Sequence, residues 1–233
     1  MPLILVPTMF LAVTSGGAAR ATALPGFPPV DSYFHFALAG SIVQATLLGG
    51  LTVGIAVAFD IESGFFDRMV AAPVPRSALV AGRLLGGVLI SFAQALFFLT
   101  IGFAFGARVE AGIPGVIVVL LLAGLVAAAS GGLSIAIALK TRSASVVQGM
   151  FPLVFVGVFL SSTFFPRELL TGPARTIADY NPISYIAEGI REPIIIPSMS
   201  LSIELLALAC AVGLTAVTVT ASIWGLRRLV GTA

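Results

Sequence analysis

Residues 36–59 read FALAGSIVQATLLGGLTVGIAVAF, from Phe36 to Phe59, without a single Asp, Glu, Lys or Arg. At about 1.5 Å of rise per residue, a helix of these 24 residues is long enough to cross a hydrocarbon core of roughly 30 Å. Four further charge-free apolar stretches follow, Leu84–Phe105, Ile113–Leu139, Val146–Phe165 and Leu205–Leu226, each of spanning length. The whole chain is 58% hydrophobic and only 9% charged, against about a quarter charged in an ordinary soluble domain. These residues cannot cover a water-soluble surface, so the apolar excess faces lipid.

The N-terminal apolar run, Pro2–Thr14, is 13 residues long, short of the roughly 20 needed for a full crossing. Ala21-Thr22-Ala23 has the small-residue form of a signal-peptide cleavage site, but no Lys or Arg precedes the run as an n-region requires. A first membrane helix whose beginning is missing is the favoured reading. The expectation is therefore an all-α integral membrane protein of about six transmembrane helices, forming one domain over residues 1–233.

With six spans, the loops fall into two sets. Residues 60–83, 140–145 and 227–233 hold seven Lys/Arg in 37 residues, while residues 15–33, 106–112 and 166–200 hold five in 61. Basic residues favour the cytoplasmic side, which places the first set and the C-terminus inside.

The spans carry no ionisable group at depth. Glu204, the nearest acid, is expected at the start of the last helix. Ion-coupled carriers generally need such a group, so proton or sodium coupling is disfavoured. Gln44, Gln94 and Gln148 are the amides within the apolar runs, and such groups ordinarily bond across helices. The spaced pairs Gly50/Gly54 and Gly102/Gly106 have the form of close helix contacts.

His35 is the only histidine and Cys210 the only cysteine, which excludes an internal disulfide and leaves no cluster of metal-ligand spacing. No catalytic triad can be assembled from one histidine at a membrane edge. Lys140 is the only lysine, and no G-x-x-x-x-G phosphate loop precedes it. The chain cannot hydrolyse ATP alone; it is not an enzyme by itself and binds no cofactor of its own. ASGGL at residues 129–133 lies inside an apolar run and is a small-residue packing stretch. Basic residues are scattered, so nucleic acid is not expected as a partner.

The most informative loop is DIESGFFDRMVAAPVPRSALVAGR, Asp60–Arg83. Asp60, Glu62, Asp67 and Arg68 alternate with Phe65, Phe66, Met69 and Val70, which fits a short amphipathic helix at the membrane surface. Pro73 and Pro75 end it, and Ser77 is placed to cap the next helix.

Within this loop Ile61-Glu62-Ser63-Gly64, the Asp67-Arg68 pair, Pro73, Arg76 and Gly82-Arg83 resemble the coupling loop of ABC-2-type transporter permeases, most closely those of the daunorubicin-resistance drug exporter type. NPISYIAEGIR, Asn181–Arg191, resembles the segment before that family's last span, and Phe165-Pro166 resembles its break after the fifth. The likeness runs from about Phe34 onward in order and spacing. Phe65-Phe66 departs from the smaller or polar pair of many members, and the amphipathic helix that precedes the family's first span is absent from this sequence.

The resemblance implies an exporter in which two permease chains, as a homodimer or heterodimer in the cell membrane, sit on two ATPase subunits that bind ATP and magnesium. Asp60, Glu62, Asp67, Arg68, Arg76 and Arg83 would then contribute polar contacts or anchor the ATPase-docking loop, with Gly64 and Pro73 shaping its backbone. Residues 166–200 would form short re-entrant helices, with Asn181-Pro182 making the dip and Glu188 pairing with Arg191 three residues on. An outer gate involving Phe165 and Pro166, or a plain structural lid, both fit that segment. The uncharged spans favour an apolar or amphipathic cargo such as a drug, lipid or glycolipid. An ATP-independent channel or carrier and a membrane scaffold are the competing classes.

Overall fold

The computed structural model describes residues 2–28, 30, 32–73 and 75–231, with the side chain of Arg76 among those outside the description. Among the described residues ten α-helices follow in order: α1 (Pro2–Gly17), α2 (Tyr33–Glu62), α3 (Phe65–Ala71), α4 (Arg76–Ala104), α5 (Gly112–Thr141), α6 (Ala144–Gln148), α7 (Phe151–Phe159), α8 (Pro173–Tyr180), α9 (Pro182–Ile195) and α10 (Leu201–Gly231). Among the described residues α2, α4, α5 and α10 supply four helices long and apolar enough to cross a membrane, and α1 and the α6–α7 pair are shorter apolar segments. The chain is an all-helical integral membrane protein.

Helices α2 and α5 lie at the centre, and small residues bring them together. A methyl group at Gly50 would stand 1.9 Å from the Ser130 hydroxyl oxygen, and one at Gly54 would be 2.4 Å from Ser134 Cβ. The Ser134 hydroxyl lies 3.3 Å from the Gly50 carbonyl oxygen, to which it donates, and accepts the Gly54 N–H at 3.1 Å. On the other flank of α5, Ser222 of α10 donates to the Gly132 carbonyl. The ASGGL stretch is thus the point where α5 meets two neighbours at once. Gly102 also lies close to a neighbour, Leu38, but Gly106 has φ +88° with nothing near its missing side chain. It belongs to the turn after α4, so the expected Gly102/Gly106 contact pair does not form.

The helices extend beyond the apolar runs. Asp60 and Glu62 lie in the last turn of α2, and Glu204 lies in the first turn of α10. The expected span over residues 146–165 is divided, with α6 ending at Gln148 and α7 running only from Phe151 to Phe159. Pro152 is the physical reason: it has no amide hydrogen for the Gln148 carbonyl, and its ring crowds that carbonyl. Gln44 and Gln94 are buried, yet neither side-chain amide finds a hydrogen-bond partner among the described residues, contrary to the cross-helix bonding expected of them.

Candidate functional site

Two regions at opposite ends of the bundle gather the chain's polar side chains. At the first, α2 ends at Glu62 and Gly64 turns the chain with φ +71°, a left-handed conformation that glycine adopts without steric cost. Helix α3 then lays Phe66 into a pocket of apolar side chains that includes Val57, Val80, Leu84 and Leu139, with Met69 and Val70 packed at its margin. Phe65, Asp67 and Arg68 stay exposed. The amphipathic pattern is therefore real, but Phe65 falls on the polar side of it.

The charged residues of this loop divide into two groups. Asp60 forms an ion pair with Arg83 of α4, whose guanidinium also approaches the Met69 sulfur at 3.8 Å. Glu62 accepts the backbone N–H of Ala144, the first residue of α6, at 2.7 Å. These three side chains brace the loop from within, whereas Asp67 and Arg68 are presented outward. Pro73 lies in the non-helical link before α4. Helix α4 starts at Arg76 after Pro75, and Ser77 does not cap it as expected: Pro75 occupies the cap position and its carbonyl accepts the Ala78 N–H. Arg76 is thus placed by its backbone at the start of α4, while its side chain lies outside the described residues.

At the opposite end, Asn181 starts α9 by accepting the Ile183 N–H at 3.0 Å, and Pro182 takes the first helical position, where its missing donor costs nothing. The Asn181 amide also donates to the Gly157 carbonyl at 2.8 Å, tying α9 to α7. Ile186, Ala187, Ile190 and Ile194 bury one face of α9 in the core shared with α2 and α5. That burial aims Arg191 at the non-helical segment following α7.

Arg191 is only 6% exposed. Its Nη2 donates to the carbonyls of Ser162 and Thr163, at 2.9 and 2.6 Å, and its guanidinium carbon lies 3.7 Å from the centre of the Phe36 ring. Burial pulls its pKa down to about 10, against the opposing charge of Glu188, which leaves it protonated at neutral pH. The Tyr33 hydroxyl donates to the Phe164 carbonyl at 2.7 Å, so three successive carbonyls, 162–164, are held by side chains. Phe164 is buried, while Phe165 is partly exposed beside Tyr33 and is followed by Pro166.

Glu188 does not form the expected pair with Arg191. It accepts from Arg167 Nε at 2.6 Å and from the Ser162 hydroxyl at 2.8 Å. Arg167 also stacks over Tyr185, its guanidinium carbon 4.1 Å from the ring centre. The adjacent Glu192 accepts the Ser200 N–H through one oxygen at 3.1 Å, and burial raises its pKa against that hydrogen bond. Tyr33, Phe36, Arg167 and Glu192 were not singled out from the sequence. The available signal was aromatic residues at a span's start and an arginine following Pro166.

The model of the ABC-2 type transporter family matches residues 1–195. The chain is 30% identical over 196 residues to a daunorubicin resistance ABC transporter permease protein of Streptomyces coeruleorubidus, an alignment covering 82% of this chain and 65% of that one. It is also 27% identical to a putative transport permease of Porphyra purpurea and 26% identical to one of Pyropia yezoensis, each over 81% of this chain and 65% of theirs. The matched stretches therefore span about two thirds of the length of these relatives. The family match covers α1 to α9 and includes both polar regions, and on that evidence the chain belongs to the ABC-2 type transporter family.

Proposed function

We propose that this chain is the membrane-spanning permease subunit of an ATP-binding cassette exporter that moves a hydrophobic or amphipathic molecule out across the cell membrane. A separate ATPase subunit would bind and hydrolyse ATP with magnesium, and a second permease chain would complete the pathway. The observation that carries this reading is the form of α3: a seven-residue helix fixed by buried Phe66, with Asp67 and Arg68 turned outward. Its base is braced through Asp60, Arg83 and Glu62. A rigidly held amphipathic helix with an exposed charged edge can transmit a push from a docked subunit to α2 and α4. In this arrangement α3 and the C-terminal end of α10 face the cytoplasm, and the Arg191 region faces outward as the exit side.

The test is affinity purification of the chain from its native host in mild detergent, followed by mass spectrometry. Recovery of a nucleotide-binding ATPase at near-equal amount is expected. Recovery of the folded chain alone would remove the exporter reading in favour of an ATP-independent channel or a scaffold.

A further inference from the structure

Helices α5 and α10 run side by side in the same direction, and contacts along their length set them level. The Thr215 hydroxyl donates to the Leu125 carbonyl at 3.0 Å, Ser222 donates to the Gly132 carbonyl, and a methyl group at Gly225 would stand 3.8 Å from Leu139 Cβ. The two helices therefore finish together, α5 at Thr141 and α10 at Gly231. This is the end of the bundle that carries α3, since Leu139 and Leu226 both belong to the apolar pocket that holds Phe66.

Four exposed basic side chains collect there, Lys140 and Arg142 at the end of α5 and Arg227 and Arg228 near the end of α10. The sequence has no Asp or Glu between Glu110 and Glu168, nor any after Glu204, so neither helix end supplies an acid to balance them. Of the acids on α2, Asp60 is paired with Arg83, and Glu62 comes near through its bond to the Ala144 N–H. The carbonyls at a helix C-terminus amount to about half a negative charge. With both helix ends and Glu62 set against the four cations, an excess of about two positive charges remains.

The placement of Arg228 says what kind of anion meets that excess. Leu226 is 1% exposed and marks the bundle side of α10, while Trp224 is 56% exposed. At about 100° per residue, Trp224 and Arg228, each two positions from Leu226, lie on the opposite, lipid-facing side. The Arg228 guanidinium carbon is 3.7 Å from the centre of the Trp224 ring. It is thus folded back toward the apolar span, whereas a basic side chain at a helix end ordinarily reaches the other way, into water. A tryptophan at the end of a span sits at the level of lipid headgroups, and the arginine fork matches phosphate oxygens at that level.

We propose that the joined ends of α5 and α10 bind the head of an anionic phospholipid, with its phosphate on Arg228 beside Trp224 and its unbalanced charge met by Arg227, Lys140 and Arg142. A zwitterionic lipid offers the same phosphate but brings an ammonium into a patch that is already positive. The site does not depend on the ATP-driven reading above, because lipid retention is measured without any ATPase.

The purified full chain is offered equal amounts of phosphatidylglycerol and phosphatidylcholine in mixed micelles at low ionic strength, and the lipid that stays bound is counted by mass spectrometry. Retention of phosphatidylglycerol by about tenfold or more over phosphatidylcholine is expected, since each basic side chain near the headgroups contributes about fivefold toward an anionic lipid. The double variant Lys140→Gln/Arg227→Gln is expected to keep the wild-type unfolding midpoint, because both side chains are exposed, and to lower the preference to about twofold or less. Arg108→Gln/Arg175→Gln removes the same charge from exposed residues at the other end of the bundle and is expected to keep the preference. Equal retention of the two lipids by the wild type, or equal losses in the two double variants, would overturn the proposal. A full lipid preference in Lys140→Gln/Arg227→Gln would overturn it as well, and if that variant also lost a co-purifying ATPase, the patch would belong to an acidic protein surface.

Discussion

The Glu62 carboxylate accepts the Ala144 backbone N–H at 2.7 Å, joining residues 82 positions apart in the chain. One turn of α2 thereby holds two neighbours, since Asp60 pairs with Arg83 of α4 while Glu62 holds the first residue of α6. Helix α3 hangs from this junction.

Removing the acceptor should loosen the junction. Glu62→Ala is expected to lower stability by about 0.5–1.5 kcal/mol, the net worth of one such bond, read as a lower thermal unfolding midpoint in detergent. Glu62→Gln keeps an acceptor oxygen and is expected to retain most of the midpoint. Equal losses in both variants would show that the charge, and not this bond, sets the effect.

The contact between α2 and α5 predicts a contrast between two glycines. Gly50→Ala would force a methyl group to within 2.5 Å of the Ala127 carbonyl as well as against Ser130. Overpacking of this kind costs about 1–3 kcal/mol. Gly82→Ala meets nothing within 4 Å and lies in α4, where alanine gains up to about 1 kcal/mol over glycine. Opposite shifts in the unfolding midpoint are expected, and a neutral Gly50→Ala would contradict the close approach.

Arg191 holds two carbonyls of a segment without helical bonds of its own. Arg191→Ala is expected to leave both without that donor, at about 1–3 kcal/mol for each buried group deprived of its partner. Faster hydrogen exchange should appear at residues 160–166. Arg191→Lys keeps the charge but not the planar fork, so it is expected to rescue only part of the protection.

Pro152→Ala supplies the amide hydrogen that the Gln148 carbonyl lacks. The break between α6 and α7 is expected to close, with slower hydrogen exchange over residues 149–153. Unchanged exchange there would mean that neighbouring packing, and not the proline, divides the segment.

The long spans were legible because a bilayer demands some 20 apolar residues in a row, and residues 36–59 satisfy that without a charge. Their ends were less so. Asp60, Glu62 and Glu204 lie beyond the apolar runs yet within helices, because backbone hydrogen bonding continues past the hydrocarbon wherever no proline stops it. At α6–α7 hydropathy was misleading: Pro152 sits in an apolar run and changes the backbone without changing the composition.

The network around Arg191 was legible only in its local parts. Asn181 and Pro182 form a helix start visible as adjacent residues. Glu188 and Arg191 are three apart, which predicts a pair on an isolated helix, but Arg167 comes from 21 residues earlier and takes the Glu188 carboxylate. Tyr33 bonds to Phe164 across 131 residues. Such partners depend on how helices meet, which no periodicity along one segment contains.

The central claim, that α3 passes the work of a docked ATPase to the membrane helices, is tested most directly by reversing its exposed charges. The wild-type chain and the Asp67→Lys and Arg68→Glu variants, each reconstituted with the co-purified ATPase, would be compared for ATP-dependent transport and for retention of the ATPase. Both variants are expected to show the wild-type unfolding midpoint, because neither side chain is buried, together with a loss of transport and weakened ATPase retention. Full transport and full retention in both variants would contradict the account.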